Sequence, residues 1–245
     1  MDKNLGKTTE SILTSYATGG GMNNIDGSNL PSKRAIAVIC EDLLQLLFPG
    51  FHDAEPIHSK DLRRVTSHRL YSIAERLSDE VCKSLRLAEP ECPRERADLV
   101  VGQFLETLPH VRSLLRTDVE AAFEGDPAAC GFDEIILAYP FLEAVAIQRS
   151  AHMLYGHRIP LIPRMMTEWA HSRTGIDIHP GAHIQSHFFI DHGTGVVIGE
   201  GSTVGANVFL THSVPPRSLV FYEENQLRIL DKNKRPEEWV QDWVI

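Results

Sequence analysis

Asp191 and His192 stand side by side in the run IDHGTG. An imidazole changes charge near neutral pH, so a histidine among carboxylates has the chemistry of a general base acting on a hydroxyl. Asp177 lies upstream in GIDIHPG, two residues before His179, and Asp126 precedes Pro127 in a Gly-Asp-Pro turn. Each residue also has a purely structural reading. An Asp-His pair commonly marks a solvated turn, an Asp-Pro pair initiates turns or caps helices, and Asp177 suits a turn between short strands.

The elements that position these residues show a change of period. From Gly175 onward, Ile178, Ile184, Ile190, Val196, Ser202, Val208 and Val214 recur every six residues, and all but Ser202 are aliphatic. A helix needs a period near 3.6 and a flat strand a period of 2. Six is the step of a hexapeptide β-helix, with one short strand and one turn per repeat and the aliphatic residue inward. Glycines 181, 193, 195, 199, 201 and 205 suit the turns. Three repeats make a coil of about 18 residues, a spacing that allows Asp177 and His192, 15 positions apart, to meet on adjacent coils. His183, His187 and His192 are separated by steps of four and five. These do not repeat with the coil, and no metal site is expected.

Upstream the signals are helical. Ser32 precedes Ile36, Ile39, Leu43 and Leu47, one apolar face behind a cap. Leu70, Ile73, Leu77, Val81 and Leu85 form a second face. Pro93 is expected to open a third helix and Pro109 a fourth. Pro140 should kink or divide the apolar stretch from Phe132 to Tyr155, and a last helix is expected over about Pro163 to Ser172. The expected divisions are a flexible arm over 1–31, with a short helix near Ser11–Tyr16; a helical domain over 32–173; a β-helix over 174–216; and a tail over 217–245.

The chain carries 33 acidic and 24 basic residues, a net charge of -9. That argues against a nucleic-acid partner, which favours a basic stripe. No apolar run approaches the roughly 18 residues of a membrane span, and the first residues lack the apolar centre of a secretory signal. Cys40, Cys82, Cys92 and Cys130 are scattered, which fits a reducing cytoplasm.

The segments TGIDIHPGA (174–182), IDHGTGVVIGE (190–200) and LLRTDVEAAFEGDPAA (114–129), with the helical lead-in over 148–175, resemble the serine acetyltransferase family. The resemblance implies an α+β chain in sequence order: an all-α N-terminal domain followed by a short left-handed parallel β-helix. It implies acetyl transfer from acetyl-CoA, a co-substrate and not a bound cofactor, to L-serine, giving O-acetylserine for cysteine synthesis. It implies His192 as catalytic base with Asp177 as its partner, and Asp126, Pro127 and Asp191 around the serine ammonium group. A homotrimer or hexamer is implied as well.

Two features qualify the resemblance. Family members continue past the VVIGE segment with further coils that carry Q-G-V-T-L-G and R-H-P motifs, which this chain lacks. The chain is therefore expected to be shortened by loss of internal coils. The substrate carboxylate then loses an arginine partner and the acetyl-CoA groove is reduced. The family's C-terminal isoleucine enters O-acetylserine sulfhydrylase, and this chain ends at Ile245 after an acidic, aromatic stretch. A second expectation follows: a catalytically impaired relative that acts through its tail on the sulfhydrylase.

Overall fold

The computed structural model describes residues 2–18, 21–89, 94–223 and 226–231. Met1–Leu30 and Pro31–Ile245 are separate units. The first holds helix α1 (Asp2–Thr18), longer than the short helix expected near Ser11–Tyr16. Its described side chains are exposed, and Thr8, Thr9, Ser11 and Thr14 return their hydroxyls to carbonyls one turn back.

In the second unit, α2 (Lys33–Leu47) starts at Ser32, whose Oγ accepts the Ala35 N–H at 3.3 Å. It buries Ile36, Ile39, Leu43 and Leu47. Helix α3 (Leu62–Leu85) buries Ile73, Leu77, Val81 and Leu85. The opening expected at Pro93 lies outside the described residues.

Helix α4 (Arg94–Gly125) corrects the expectation of a new helix at Pro109: the helix runs straight through that proline. The buried stripe Val101, Phe104, Leu108, Val111, Leu115 and Val119 is continuous across it. Packing along the stripe outweighs the one N–H that proline removes, because Pro109 itself faces solvent. Pro140 does divide its stretch. Helix α5 (Phe132–Ala138) ends at Tyr139, whose extended backbone (φ -88, ψ 113) is the conformation proline imposes on its predecessor. Pro140 then opens α6 (Pro140–Gly156). Helix α6 is buried almost all round from Phe141 to Ala151, as a helix at the centre of a domain must be. Helix α7 (Ile162–Thr174) ends on left-handed Gly175, which hands the chain to the coil.

Six two-residue strands follow: β1 (Asp177–Ile178), β2 (His183–Ile184), β3 (Phe189–Ile190), β4 (Val197–Ile198), β5 (Thr203–Val204) and β6 (Phe209–Leu210). They stack in parallel as three faces, β1 on β4, β2 on β5 and β3 on β6. The register corrects the expected coil length. Asp177 pairs with Val197, His183 with Thr203 and Phe189 with Phe209, each 20 positions on and not about 18. The corner after Ile190 is two residues longer than the other corners, so the inward residues of the second coil are Ile198, Val204 and Leu210. The expected Val196, Ser202 and Val208 are buried too, because the residue two before each strand end also points into the coil. Ser202 is satisfied there by donating to Pro215 O at 2.8 Å.

The stack also runs past residue 216. Val214 bridges Ile198, and β7 (Ser218–Glu223) pairs in parallel with β5, Val220 on Val204. Pro216 packs so close to Gly199 that a Cβ there would lie 2.5 Å from its nitrogen, which requires glycine. Strand β8 (Gln226–Asp231) closes an antiparallel hairpin with β7. Among the described residues no helix is long and apolar enough to cross a membrane.

One core joins helices and coil, and α6 supplies the polar seam. Gln148 Nε2 donates to Ala182 O at 2.8 Å, and Arg149 donates to Ile184 O at 2.6 Å and Gln185 O at 2.7 Å. Those carbonyls lie in and beside strand β2 of the first coil. The helical domain therefore sets the orientation of the coil that carries Asp191 and His192.

Candidate active site

His192 occupies a left-handed corner (φ 56), followed by Gly193 (φ 71) and Gly195 (φ 84). A non-glycine residue in that region is strained and needs its surroundings to hold it. The surroundings are specific. Gly193 N–H donates to Asp191 O at 2.6 Å, and Gly195 N–H donates to Gly175 O at 2.8 Å. A Cβ on Gly193 would lie 2.5 Å from Ile176 Cδ1. The corner is pressed against the start of the coil, and the imidazole is turned outward with its side chain 96% exposed. Its Nε2 stands 3.8 Å from Asp191 Oδ1, too long for a direct hydrogen bond.

Asp126 arrives from the turn after α4. Its Oδ1 accepts the Ala128 N–H at 2.8 Å and its Oδ2 accepts the Tyr139 hydroxyl at 2.5 Å. Tyr139 stacks on Phe189, the residue before Ile190 and the DH corner. The preceding Gly125 lies against the same ring, where a Cβ would come within 3.1 Å of Phe189 Cδ1. Phe189 thus draws the GDP turn to the third face of the coil. The Tyr139 hydroxyl, with the Ala128 N–H, holds the Asp126 carboxyl below its ordinary range, and His192 adds a smaller pull in the same direction. The same bond pushes the Tyr139 phenol up to about 12, with Glu134 and Asp191 adding to it. Asp126 and Tyr139 are thus joined directly, and the charges of His192 and Asp191 act on them as weaker, longer-range contributions. Pro127 is exposed in the turn beside it.

Among the described residues Asp177 makes its ion pair with Arg164 and none with His192. At 20 residues per coil its strand partner is Val197. Its carboxylate takes both guanidinium nitrogens of Arg164, at 3.1 and 3.3 Å. Glu168 and His171 lie close enough to Asp177 to suggest a cation site. However, Arg164 already neutralises both carboxylates, with Glu168 at 2.5 Å. His179 is half-buried against the Tyr155 ring: Nδ1 accepts the Gly181 N–H at 3.0 Å, and burial lowers its pKa. The expected tail contact, Ile245, lies outside the described residues. Tyr139 and Arg164 were not foreseen. Tyr139 had one legible sign, its place before Pro140, which forces an extended break.

No protein-family model matches the chain. A plasmid-borne serine acetyltransferase of Synechococcus elongatus is 37% identical over 194 residues, 76% of this chain and 61% of that protein. The crystal structure of native serine acetyltransferase 1 from Entamoeba histolytica superposes with a TM-score of 0.62 at 33% identity, covering 81% of this chain and 68% of the other. Isoform 3 from the same organism, solved in complex with cysteine, gives 0.63 at 30% identity, covering 87% and 72%. The chain belongs to the serine acetyltransferase family.

As a member of the serine acetyltransferase family, it has the expected order of a helical domain followed by a left-handed parallel β-helix. It spans about 61% of the length of the Synechococcus relative. Among the residues assigned by family resemblance, Asp191 and His192 share the corner after β3, Asp126 is tied through Tyr139 to Phe189 of that strand, and Asp177 is held by Arg164.

Proposed function

We propose that the chain is a serine O-acetyltransferase, moving acetyl from acetyl-CoA to the hydroxyl of L-serine to release O-acetylserine and CoA. The supporting observation is the accessible His192 imidazole on its glycine-locked corner, with Asp191 3.8 Å away and Asp126 within reach of its charge. A serine hydroxyl is a weak nucleophile at neutral pH and needs a positioned base. In this reading His192 takes the hydroxyl proton as the oxygen attacks the thioester carbonyl. The tetrahedral intermediate then collapses with cleavage of the C–S bond, and the imidazolium returns the proton to the leaving thiolate. Asp126 and Asp191 supply negative charge for the substrate ammonium group, with Pro127 shaping the turn. The cysteine complex of the Entamoeba isoform supports a site for a small amino acid, since cysteine differs from serine only in sulfur for oxygen.

Asp177 keeps in this reading the role that the resemblance assigns it, partner of His192. Its strand partner Val197 is 44% exposed and Phe209 is 41% exposed, apolar edges that a homotrimer, alone or paired as a hexamer, would cover. The scattered cysteines support a cytoplasmic setting. The terminal Glu-Glu-Trp…Trp-Val-Ile245 run supports docking to O-acetylserine sulfhydrylase. The short coil stack favours a second reading, an impaired relative that acts through this tail. The deciding experiment is mass spectrometry of the products from acetyl-CoA and L-serine: O-acetylserine supports the enzyme, and its absence from a folded oligomer supports the second reading.

A further inference from the structure

We propose that Tyr139 is a positioning residue for the amino-group subsite, fixing the Asp126 carboxylate so that it faces the ammonium group of the substrate beside His192. The proposal rests on the serine acetyltransferase reading for its substrate, but its geometry stands apart from it. Asp126 sits in an exposed turn whose backbone bonds are local, Asp126 N–H to Ala122 O and Ala129 N–H to Asp126 O. A carboxylate on such a turn has free rotation unless something holds it. The Ala128 N–H holds Oδ1, but that contact moves with the turn itself. Tyr139 is the tie to the rest of the molecule, its hydroxyl donating to Oδ2 at 2.5 Å.

The tyrosine is itself fixed at both ends. Its backbone is held extended by Pro140 and by its N–H bond to Ile135 O at 3.2 Å. Its ring stacks on Phe189, centroids 6.4 Å apart, and Phe189 packs edge-on to Phe141 of α6 at 5.0 Å. The position of Asp126 is thereby referred to the same β3 strand that leads into Asp191 and His192. The other charged groups whose fields reach the pair are His192, Glu134 and Asp191. The acidic groups among them disfavour a phenolate, so Tyr139 remains a donor at neutral pH. With Oδ2 accepting from Tyr139 and Oδ1 from Ala128, the remaining lone pairs have defined directions. A charge-assisted bond of this kind both orients and strengthens an acceptor.

Tyr139→Phe removes the hydroxyl and keeps the ring on Phe189, and it is tested in two ways. The first is the Asp126 carboxyl titration, followed by NMR on the full chain labelled at aspartate carboxyls, which needs no activity. It should move upward in Tyr139→Phe; an unchanged titration overturns the proposal whether or not the chain acetylates serine. The second is a cycle with Asp126→Asn using L-serine and acetyl-CoA. Tyr139→Phe should raise KM for serine roughly three- to tenfold, with a smaller change in kcat, and add little in the Asp126→Asn background. An equal effect in both backgrounds would show that Tyr139 acts only on the fold, and would overturn the positioning role. If the wild-type chain forms no product, the function fails while the titration still decides the tyrosine.

Discussion

Arg149 and Asp118 form a bidentate ion pair at the seam between helices and coil, Nε to Oδ2 at 3.0 Å and Nη2 to Oδ1 at 2.9 Å, both side chains almost fully buried. Arg149 also donates to two carbonyls of the coil, and Asp118 accepts the Phe188 N–H. Asp118→Ala should therefore cost about 3–5 kcal/mol, the usual consequence of leaving one buried charge without its partner. Arg149→Met should cost a similar amount, and the double variant should stay destabilised because Ile184 O and Gln185 O lose their donors. Urea denaturation checks this. A loss below about 1 kcal/mol for Asp118→Ala would mean the seam is not held by this pair.

Gly193→Ala should destabilise the coil and move the His192 corner. Left-handed backbone alone costs a non-glycine residue about 1–2 kcal/mol, and the new methyl would meet Ile176 Cδ1 at 2.5 Å. Ile176→Val removes that Cδ1 and should restore part of the lost stability in the Gly193→Ala background. Thermal unfolding of the single and double variants reads the difference; no recovery would place the strain in the backbone and the remaining contacts with Ile176 Cγ1 and Ile190 Cγ2.

Acidification should weaken the fold through His179. Burial lowers its pKa, Arg164 adds to the effect, and Glu200 and Asp177 oppose it. Its Nδ1 accepts the Gly181 N–H, which requires that nitrogen unprotonated. The unfolded chain then binds protons more readily than the folded one. Stability is full above the ordinary value of 6.5 and declines as pH falls below it toward the lowered folded value. Burial lowers His52 as well, with the same sign. His179→Asn keeps an acceptor near Nδ1 and removes the titration, so its urea midpoint should change less between pH 7.5 and 5.5 (roughly one unit either side of the histidine value) than that of the wild type. Identical pH dependence in both would exclude His179 as a source.

The helices were legible wherever apolar residues fell on one face, as in α2 and α3. Pro109 misled because a single lost N–H is a local signal, while the Val101–Val119 stripe that overrides it is a sum over several turns. The hexad period revealed the coil but hid its register. The longer corner around His192 shifts the second coil by two, and the shift stays invisible because residues at both phases are buried. Asp126, Asp191 and His192 were legible only through the family motif. The Tyr139 contact was not, since it depends on how α5 ends against a coil far along the chain.

The most direct measurement is release of thiol from acetyl-CoA by the purified chain, with and without L-serine, for wild type and His192→Ala. Release that depends on serine and falls by a factor of about 100 or more in His192→Ala is the predicted result, in keeping with loss of a general base. Serine-dependent release unchanged in His192→Ala would contradict the assignment of His192 as the base, and no release from the folded wild-type chain would contradict the activity itself.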